Sequence, residues 1–469
     1  MRAVRDRRRF FLGAFGDPGH AFPMLALGSR LVARGHAVTL ETWSRWREHV
    51  EAAGIEFVAA PEYPVFPTRE RPLSPYEAVA LATVETRRAV VACSPDVVVH
   101  DVLTLAPAMA GELEDVPVAT LIPHLHPAGA PGFPPYALGA RLPRSAAGRR
   151  LWQALARRVQ TGLRIGRAEL NETRVRLGLP PTERLHGGIS ARLCIVGTFP
   201  QLEYPRRWPA EVHVVGPLMW EPPYAEVPPP AGGAPLVLVA PSTAHDPEHR
   251  LVRAALAGLA GEPVRVLATT NRPFSGRIEV PANAHLVEWI SYSRAMSGCA
   301  LVICHAGHGT MARALASGSP VLAVPHSGDM AENAARADWA GVGARLPWRL
   351  LTPATLRLAA RRALAEPSLA RRVRALAGWA SVYDGASRAA ELVERLALPA
   401  GGGGVGGGDG RGGGGGGVGR GDGRGGGGGG GAVRDGRGRG GVGGSYRAKR
   451  SVSRPAREGP AVVGRQDPD

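Results

Sequence analysis

The stretch at 304–310 holds residue types that can bind an anion. It follows a short apolar run, 300–303, that predicts a buried strand, and it precedes an apolar stretch that predicts a helix ending before Gly318. A glycine-rich turn at a helix start presents backbone N–H groups and the positive end of the helix dipole. Side-chain donors join them, and the residues of interest are His305, Gly307, Gly309 and Thr310. The sequence therefore predicts an anion site here, although the phosphate-loop lysine and the Gly-x-Gly-x-x-Gly fingerprint are both missing.

A histidine and an aspartate occupy comparable places in the first half of the chain. His20 follows the predicted first strand, 9–14, in a glycine-rich turn at the start of a helix. Asp101 lies at the exit of a buried strand, 97–99. Open α/β sheets place their ligands at the carboxyl ends of strands, so both side chains are candidates for chemistry. The plainer alternatives are a surface or capping histidine, and an aspartate that caps the following helix.

The elements around these residues predict the class of fold. Strand and helix signals alternate over 9–59 as β-α-β-α-β, which indicates a parallel, doubly wound α/β sheet. A proline-rich stretch, 221–235, indicates a semi-rigid linker. Strands are predicted again at 236–240, 264–268 and 285–287. We therefore expect two α/β domains joined by this linker.

The residues after the turn carry a resemblance to a known family. Ser319 to Pro325, then Gly328-Asp329 and Asn333-Ala334, resemble the donor-binding signature of the UDP-glycosyltransferase and antibiotic (macrolide-type) glycosyltransferase superfamily. The resemblance covers roughly residues 8–398 and implies the GT-B fold, in which two Rossmann-like domains face each other. It also implies an inverting hexosyltransferase of the bacterial natural-product type. Such an enzyme moves a sugar from a dTDP- or UDP-sugar to a hydroxyl of a small, hydrophobic acceptor such as a secondary metabolite, without a metal or other cofactor.

The resemblance assigns roles to individual residues. His20 matches the family's Gly-His-x-x-Pro element, whose histidine is the catalytic base, and Asp101 matches the aspartate that accepts its imidazole N–H. The pair suits the reaction because neutral imidazole can take the acceptor's proton while the carboxylate fixes the tautomer. The implied donor-binding residues are Ser242, Thr243, Trp289, His305, Gly307, Gly309, Thr310, Asp329 and Met330. Among these, Trp289 carries the nucleotide base, Asp329 binds sugar hydroxyls, and the hydroxyls after the first strand of this domain join the turn in holding the diphosphate.

Three departures from the family pattern bear on the donor. Ser291-Tyr292 stands where Pro-Gln is usual, Arg313 replaces a glutamate that grips ribose hydroxyls, and Met330 replaces an amide that binds sugar hydroxyls. A thymidine nucleotide has no 2′-hydroxyl and loses less by the missing glutamate, and a thioether suits a deoxysugar. We therefore expect a dTDP-deoxysugar donor. A UDP-sugar is the alternative if Glu332 and backbone groups take over both roles.

The chain is expected to divide into five parts. These are an acceptor-binding domain at 1–217, a linker at 218–235, a nucleotide-sugar-binding domain at 236–380, a helix crossing back to the first domain at 381–398, and a disordered tail at 399–469. The tail is Gly/Arg-rich and has almost no apolar residues with which to form a core. Its Arg-Gly pairs lack interleaved aromatic residues, so we expect no nucleic-acid partner.

Two long loops, 61–75 and 123–143, are expected to line the acceptor pocket, because long loops at this end of a sheet usually form a binding wall. The second contains His124 and His126, which have no third ligand nearby and do not predict a metal site.

Charge and cysteine content bear on partners and location. The net charge is +17, and the tail supplies only part of the excess. The segment 141–176 is especially basic, which indicates either a solvated helix face or contact with an anionic membrane surface or an acidic acceptor. The four cysteines are scattered and are expected to be reduced core residues of a cytoplasmic protein.

Two other functions remain as alternatives. A nucleotide-sugar epimerase of the same shape would need acid–base groups over the sugar rather than an open acceptor cleft. A catalytically idle nucleotide-sugar-binding or partner protein would not need His20 or Asp101. The presence of both residues and of the long apolar loops favours the transferase. The sequence gives no indication of the oligomeric state.

Overall fold

Two parallel sheets organise the chain. The computed structural model describes residues 7–63, 73, 75–224, 226–242, 246–272, 276–326 and 328–398. Thr243, most of the loop at 61–75 and the tail at 399–469 lie outside these described residues.

The first sheet has seven strands in the order β3-β2-β1-β4-β5-β6-β7, and all of them are parallel. Strands β4 and β5 are buried along their whole length, as expected for a sheet covered by helices on both faces. The elements of this domain are β1 (Arg9–Gly13), α1 (Pro18–Ala33), β2 (Ala37–Thr42), α2 (Arg47–Ala52), β3 (Glu56–Ala59), α3 (Pro75–Cys93), β4 (Val97–Asp101), α4 (Ala106–Leu113), β5 (Val118–Ile122), α5 (Ala146–Arg176), β6 (Cys194–Val196) and β7 (Val212–Val214).

The second sheet has six parallel strands in the order β10-β9-β8-β11-β12-β13. Its elements are β8 (Leu236–Ala240), α6 (Arg250–Leu259), β9 (Arg265–Thr269), β10 (Ala284–Val287), α7 (Tyr292–Ala295), β11 (Leu301–Cys304), α8 (His308–Ala316), β12 (Val321–Ala323), α9 (Asp329–Ala340), β13 (Gly343–Arg345), α10 (Pro353–Leu364), α11 (Pro367–Val382) and α12 (Gly385–Leu396). The prediction of two Rossmann-like domains is confirmed.

Both sheets reverse their strand order at one place, between β1 and β4 in the first and between β8 and β11 in the second. Such a switch point opens a crevice at the carboxyl ends of the two strands, where ligands bind. His20 follows β1, and Asp101 ends β4. Ser242 follows β8, and the 305–310 turn follows β11. The residues singled out from the sequence therefore stand at the two switch points.

The end of the second domain differs from the prediction of one helix over 379–398. The structure has α11 and α12 instead, and the Asp384 side chain caps α12 by accepting a hydrogen bond from the Ala386 N–H at 3.1 Å. Gly385 approaches the first domain so closely that a Cβ there would lie 2.6 Å from the Gly216 carbonyl oxygen. Helix α12 then buries Ala389 and other small residues in the core of the first domain.

Helix α5 is 31 residues long, and its first 24 residues include none that is buried. Its C-terminal turns are anchored by Leu170, Thr173 and Arg174, which are buried. Leu151 and Ile165 are each 58% exposed. Among the described residues, every helix is too short or too polar to cross a bilayer.

A buried cluster of charges joins the two domains. Arg336 of α9 donates to Glu203 of the first domain at 3.1 Å and to Glu332 at 2.8 Å. Its guanidinium also lies 3.6 Å from the centre of the Tyr204 ring. The side chains of Arg336, Glu203 and Glu332 are 4%, 3% and 1% exposed. The two domains therefore meet through a fixed polar contact as well as through α12.

Candidate active site

The His20 imidazole lies against the Asp101 carboxylate. His20 stands in the first turn of α1, and its Nδ1 is 2.9 Å from Asp101 Oδ1. Because β1 and β4 are parallel neighbours, the turn after β1 and the last residue of β4 meet at the same edge of the sheet. The parallel pairing thus brings together two residues that are 81 positions apart.

Asp101 is fully buried and held by several donors. Its carboxylate accepts hydrogen bonds from the Phe15 N–H at 2.6 Å, the Leu103 N–H at 2.8 Å and the Thr104 hydroxyl at 3.0 Å. Burial by itself would raise the pKa of this carboxyl, but His20 and the N–H donors lower it to about 2. Asp101 is therefore an ionised, immobile partner for the imidazole.

The protonation of His20 follows from this partner. Burial opposes the charged imidazole, but the Asp101 carboxylate outweighs that effect and raises the pKa of His20 above its ordinary value. With Nδ1 donating to Asp101, the lone pair of the neutral ring lies on Nε2. The His20 side chain is 15% exposed and lines a cavity, so this nitrogen can take a proton from a bound hydroxyl.

One cavity of about 310 Å³ contains His20 and nearly all of the predicted donor residues. It lies between the two sheets and is walled by both domains. The predicted donor residues along it are Ser242, Trp289, His305, Gly307, Gly309, Thr310, Asp329 and Met330. Asp101 stands behind His20 and does not line the cavity, and Thr243 lies outside the described residues.

The 305–310 turn has the form of an anion site. Helix α8 starts at His308, earlier than its apolar pattern predicts, and no side chain caps its first turn. Ala306 has a φ of +66°, in the left-handed region that non-glycine residues rarely adopt. A Cβ on Gly307 would lie 2.3 Å from the His305 Nε2, so the histidine ring can fold over this position only because it is glycine. Backbone N–H groups and the helix dipole together favour a negative group at this end of α8.

Trp289 offers an aromatic face at another part of the cavity. It is 39% exposed, and Tyr224 stacks on it with ring centres 5.8 Å apart and an interplanar angle of 14°. Tyr224 covers one face of the indole, and the exposed fraction leaves surface for a second planar group. Asp329 and Met330 begin α9 at the sugar-facing part of the predicted site.

The linker supplies cavity residues that sequence reasoning missed. Trp220, Glu221 and Tyr224 all line the cavity. Arg313, one turn after Thr310 on α8, donates to the Trp220 carbonyl at 2.9 Å and pairs with Glu221 at 3.5 Å. The only sequence signal in this segment was its proline content, which indicates stiffness and says nothing about a ligand.

Two expectations about single residues need correction. Glu332 was expected to compensate for Met330, but it does not line the cavity, because its carboxylate turns to Arg336 one helical turn later. The loop at 123–143 does reach the cavity through Pro123 and His124. His126 points elsewhere and packs against Trp208 at 5.4 Å between ring centres. Among the described residues, no group of three or more His, Cys, Asp or Glu side chains is placed to hold a metal ion.

Comparisons with known proteins agree with this geometry. Residues 250–382 match the family model described as "Erythromycin biosynthesis protein CIII-like, C-terminal domain". The O-mycaminosyltylonolide 6-deoxyallosyltransferase of Streptomyces fradiae is 31% identical over 430 residues, which is 83% of this chain and 97% of that protein.

Two solved structures share the fold. The calicheamicin glycosyltransferase CalG4 superposes with a TM-score of 0.67 at 23% identity, covering 84% of this chain and 98% of that one. The glycosyltransferase VinC, solved in complex with dTDP, superposes with a TM-score of 0.61 at 19% identity, covering 83% of this chain and 99% of that one. Their common architecture is GT-B. With a relative matched along nearly its whole length and this fold, the chain belongs to the antibiotic glycosyltransferases of the UDP-glycosyltransferase superfamily and is a sugar-transferring enzyme.

Proposed function

We propose that this enzyme transfers a deoxysugar from a dTDP-linked donor to a hydroxyl of a small, hydrophobic acceptor, with inversion at the anomeric carbon and without a metal. One observation carries the proposal: the His20–Asp101 pair and the 305–310 turn face each other across one cavity. A base on one side and an anion site on the other are what a direct displacement needs.

The reaction follows from these positions. His20 Nε2 takes the proton of the acceptor hydroxyl as its oxygen attacks the anomeric carbon, and the bond from that carbon to the diphosphate oxygen breaks. Asp101 stabilises the imidazolium that results. The N-terminus of α8 and His305 stabilise the departing diphosphate, a task that a metal performs in other sites. Attack from the side opposite the leaving group inverts the configuration.

The site also bears on the donor. Arg313 occupies the cavity wall between Thr310 and the linker, and Met330 places a thioether beside Asp329. Met330 is buried, which suits a sugar that lacks a hydroxyl at the contacting carbon. VinC, a structural neighbour, binds dTDP according to its title. These observations favour dTDP over UDP.

The test is acceptor-dependent release of nucleoside diphosphate from a panel of dTDP- and UDP-sugars, with the product's anomeric configuration read by NMR. Epimerised donor without acceptor would support the epimerase instead, and binding without turnover would support an idle binding protein. In competition experiments, UDP that binds about tenfold more tightly than dTDP would contradict the dTDP assignment. Activity should be unchanged by EDTA.

A further inference from the structure

The linker carboxylate Glu221 is held at one place in the cavity by residues of the second domain. Its Oε1 accepts a hydrogen bond from the Ser291 hydroxyl at 2.8 Å and another from the Ser293 hydroxyl. The Ser293 N–H lies 3.2 and 3.3 Å from the two carboxylate oxygens. Arg313 Nη1 is 3.5 Å from Oε2. The side chain is 16% exposed and lines the cavity, so it is fixed yet open to a ligand.

The position of Glu221 lies between two parts of the proposed nucleotide site. Ser291 comes two residues after Trp289, the proposed base platform. Arg313 comes three residues after Thr310, one turn along α8 from the proposed diphosphate site. In a nucleoside diphosphate the pentose connects the base to the phosphates. A ligand bound at both ends must therefore place its pentose beside Glu221.

We propose that Glu221 binds the 3′-hydroxyl of the donor's pentose and that Arg313 is a positioning residue that holds the linker in place for this contact. The inference rests on the proposed function, because it requires a nucleotide on Trp289 and the α8 turn. A hydroxyl that donates to a carboxylate forms a charge-assisted hydrogen bond, which is stronger than a neutral one.

The remaining capacity of the carboxylate limits the ligand to one hydroxyl. A carboxylate has about four acceptor positions on its two oxygens. The two serine hydroxyls occupy Oε1, and the Ser293 N–H and Arg313 share the inner side of Oε2. One position on Oε2 is left. A deoxyribose offers one ring hydroxyl and a ribose offers two, so Glu221 matches the pentose of a thymidine nucleotide.

The test pairs one variant with one altered ligand. Calorimetry would measure binding of dTDP and of 3′-deoxythymidine diphosphate to the wild type, to Glu221→Gln and to Ser293→Ala. Glu221→Gln should weaken dTDP about tenfold, the usual size of a hydrogen bond to a charged group. It should leave the 3′-deoxy ligand unaffected, because that ligand has no hydroxyl to lose.

The other outcomes are distinct. Equal weakening of both ligands by Glu221→Gln would mean that Glu221 only anchors the linker, and it would overturn the inference. Unchanged dTDP binding would overturn it as well. Ser293→Ala keeps the carboxylate and should weaken dTDP less than Glu221→Gln does, and melting curves verify that each variant is folded. Failure of the wild type to bind any nucleoside diphosphate would instead overturn the proposed function itself.

Discussion

The His20–Asp101 pair assigns different tasks to the two nitrogens of one ring. Nδ1 is bound to Asp101, so only Nε2 can accept a proton from the cavity. His20→Ala should therefore lower turnover by about 10² to 10⁴-fold. Donor binding should persist, because the predicted donor residues belong to the second domain. Turnover and calorimetric binding of dTDP, measured on one preparation, check both statements, and near-normal turnover would show that another group is the base.

The pH profile tests the role of Asp101 separately. Neutral imidazole is the reactive form, so kcat/KM should rise with pH through the pKa of His20, which Asp101 raises despite burial. In Asp101→Asn the rising limb should move to lower pH, even though the maximum rate falls. Asp96→Asn, at the other end of β4 and 36% exposed, is the matched control and should leave the limb in place. A limb that stays where it is in Asp101→Asn would contradict the coupling.

Glu41 is a buried acid away from the proposed chemistry. Burial raises its pKa to about 8, although the Thr86 hydroxyl donates to it at 3.0 Å. The unfolded chain releases this proton near 4.5, so the folded state binds more protons between the two values, and its stability falls as pH rises from about 4.5 to about 8. The melting temperature of Glu41→Gln should lose this part of the pH dependence.

Melting curves between pH 5 and pH 9 measure that difference. Glu51→Gln changes a carboxylate that is 52% exposed and serves as the control, with a pH dependence like that of the wild type. A Glu41→Gln variant that follows the wild-type slope would show that Glu41 ionises in the folded protein.

At the residue scale, local motifs predicted much of the site and tertiary contacts decided the rest. His20 and the 305–310 turn follow strands directly, so their places at the sheet edge can be inferred from neighbouring residues. Glu221 could not be found this way, because its position depends on Arg313 and on serines about 70 residues away. The orientation of Glu332 likewise depends on its buried partner on the same helix.

The buried contact of Arg336 with Glu203 is the element-scale feature that joins α9 to the first domain. Removing one partner of a buried ion pair leaves the other uncompensated and costs about 3–5 kcal/mol. Arg336→Met should therefore lower the free energy of unfolding by that amount, measured by denaturant unfolding. The control is Arg141→Met: Arg141 is 61% exposed, pairs with Asp338 of the same helix, and should cost under about 1 kcal/mol. Equal costs would show that burial of the pair is unimportant.

Helix and strand signals located most elements but misjudged two. Periodicity over 379–398 is continuous, and nothing local indicates the break after α11. The break follows from the close approach of Gly385 to the first domain, a contact between distant parts of the chain. The segment 141–176 is basic and helical as predicted, with arginines exposed over most of α5. Its contact with an anionic surface stays a prediction.

At the scale of the whole molecule, function depends on two switch points that face each other. Each sheet contributes one edge, α12 packs on the first domain after the second is complete, and the linker contributes cavity residues. The proposed base and the proposed anion site belong to different domains. Sequence motifs could place each on its own sheet, but their separation across one cavity is a property of domain packing.

The tail provides the last test at this scale. Every core residue and every cavity residue identified above lies within 7–398. Residues 401–444 are almost entirely Gly, Arg and Asp, and such a composition has too little apolar surface to form a core. Deleting 401–469 should therefore leave the melting temperature and the rate of sugar transfer unchanged, as measured side by side with the full chain. A matched deletion from 385 onward also removes α12 and should destabilise the first domain, since α12 buries Ala389 and Val393 there. Insolubility or lost activity in the shorter deletion would show that the tail contributes to folding or catalysis.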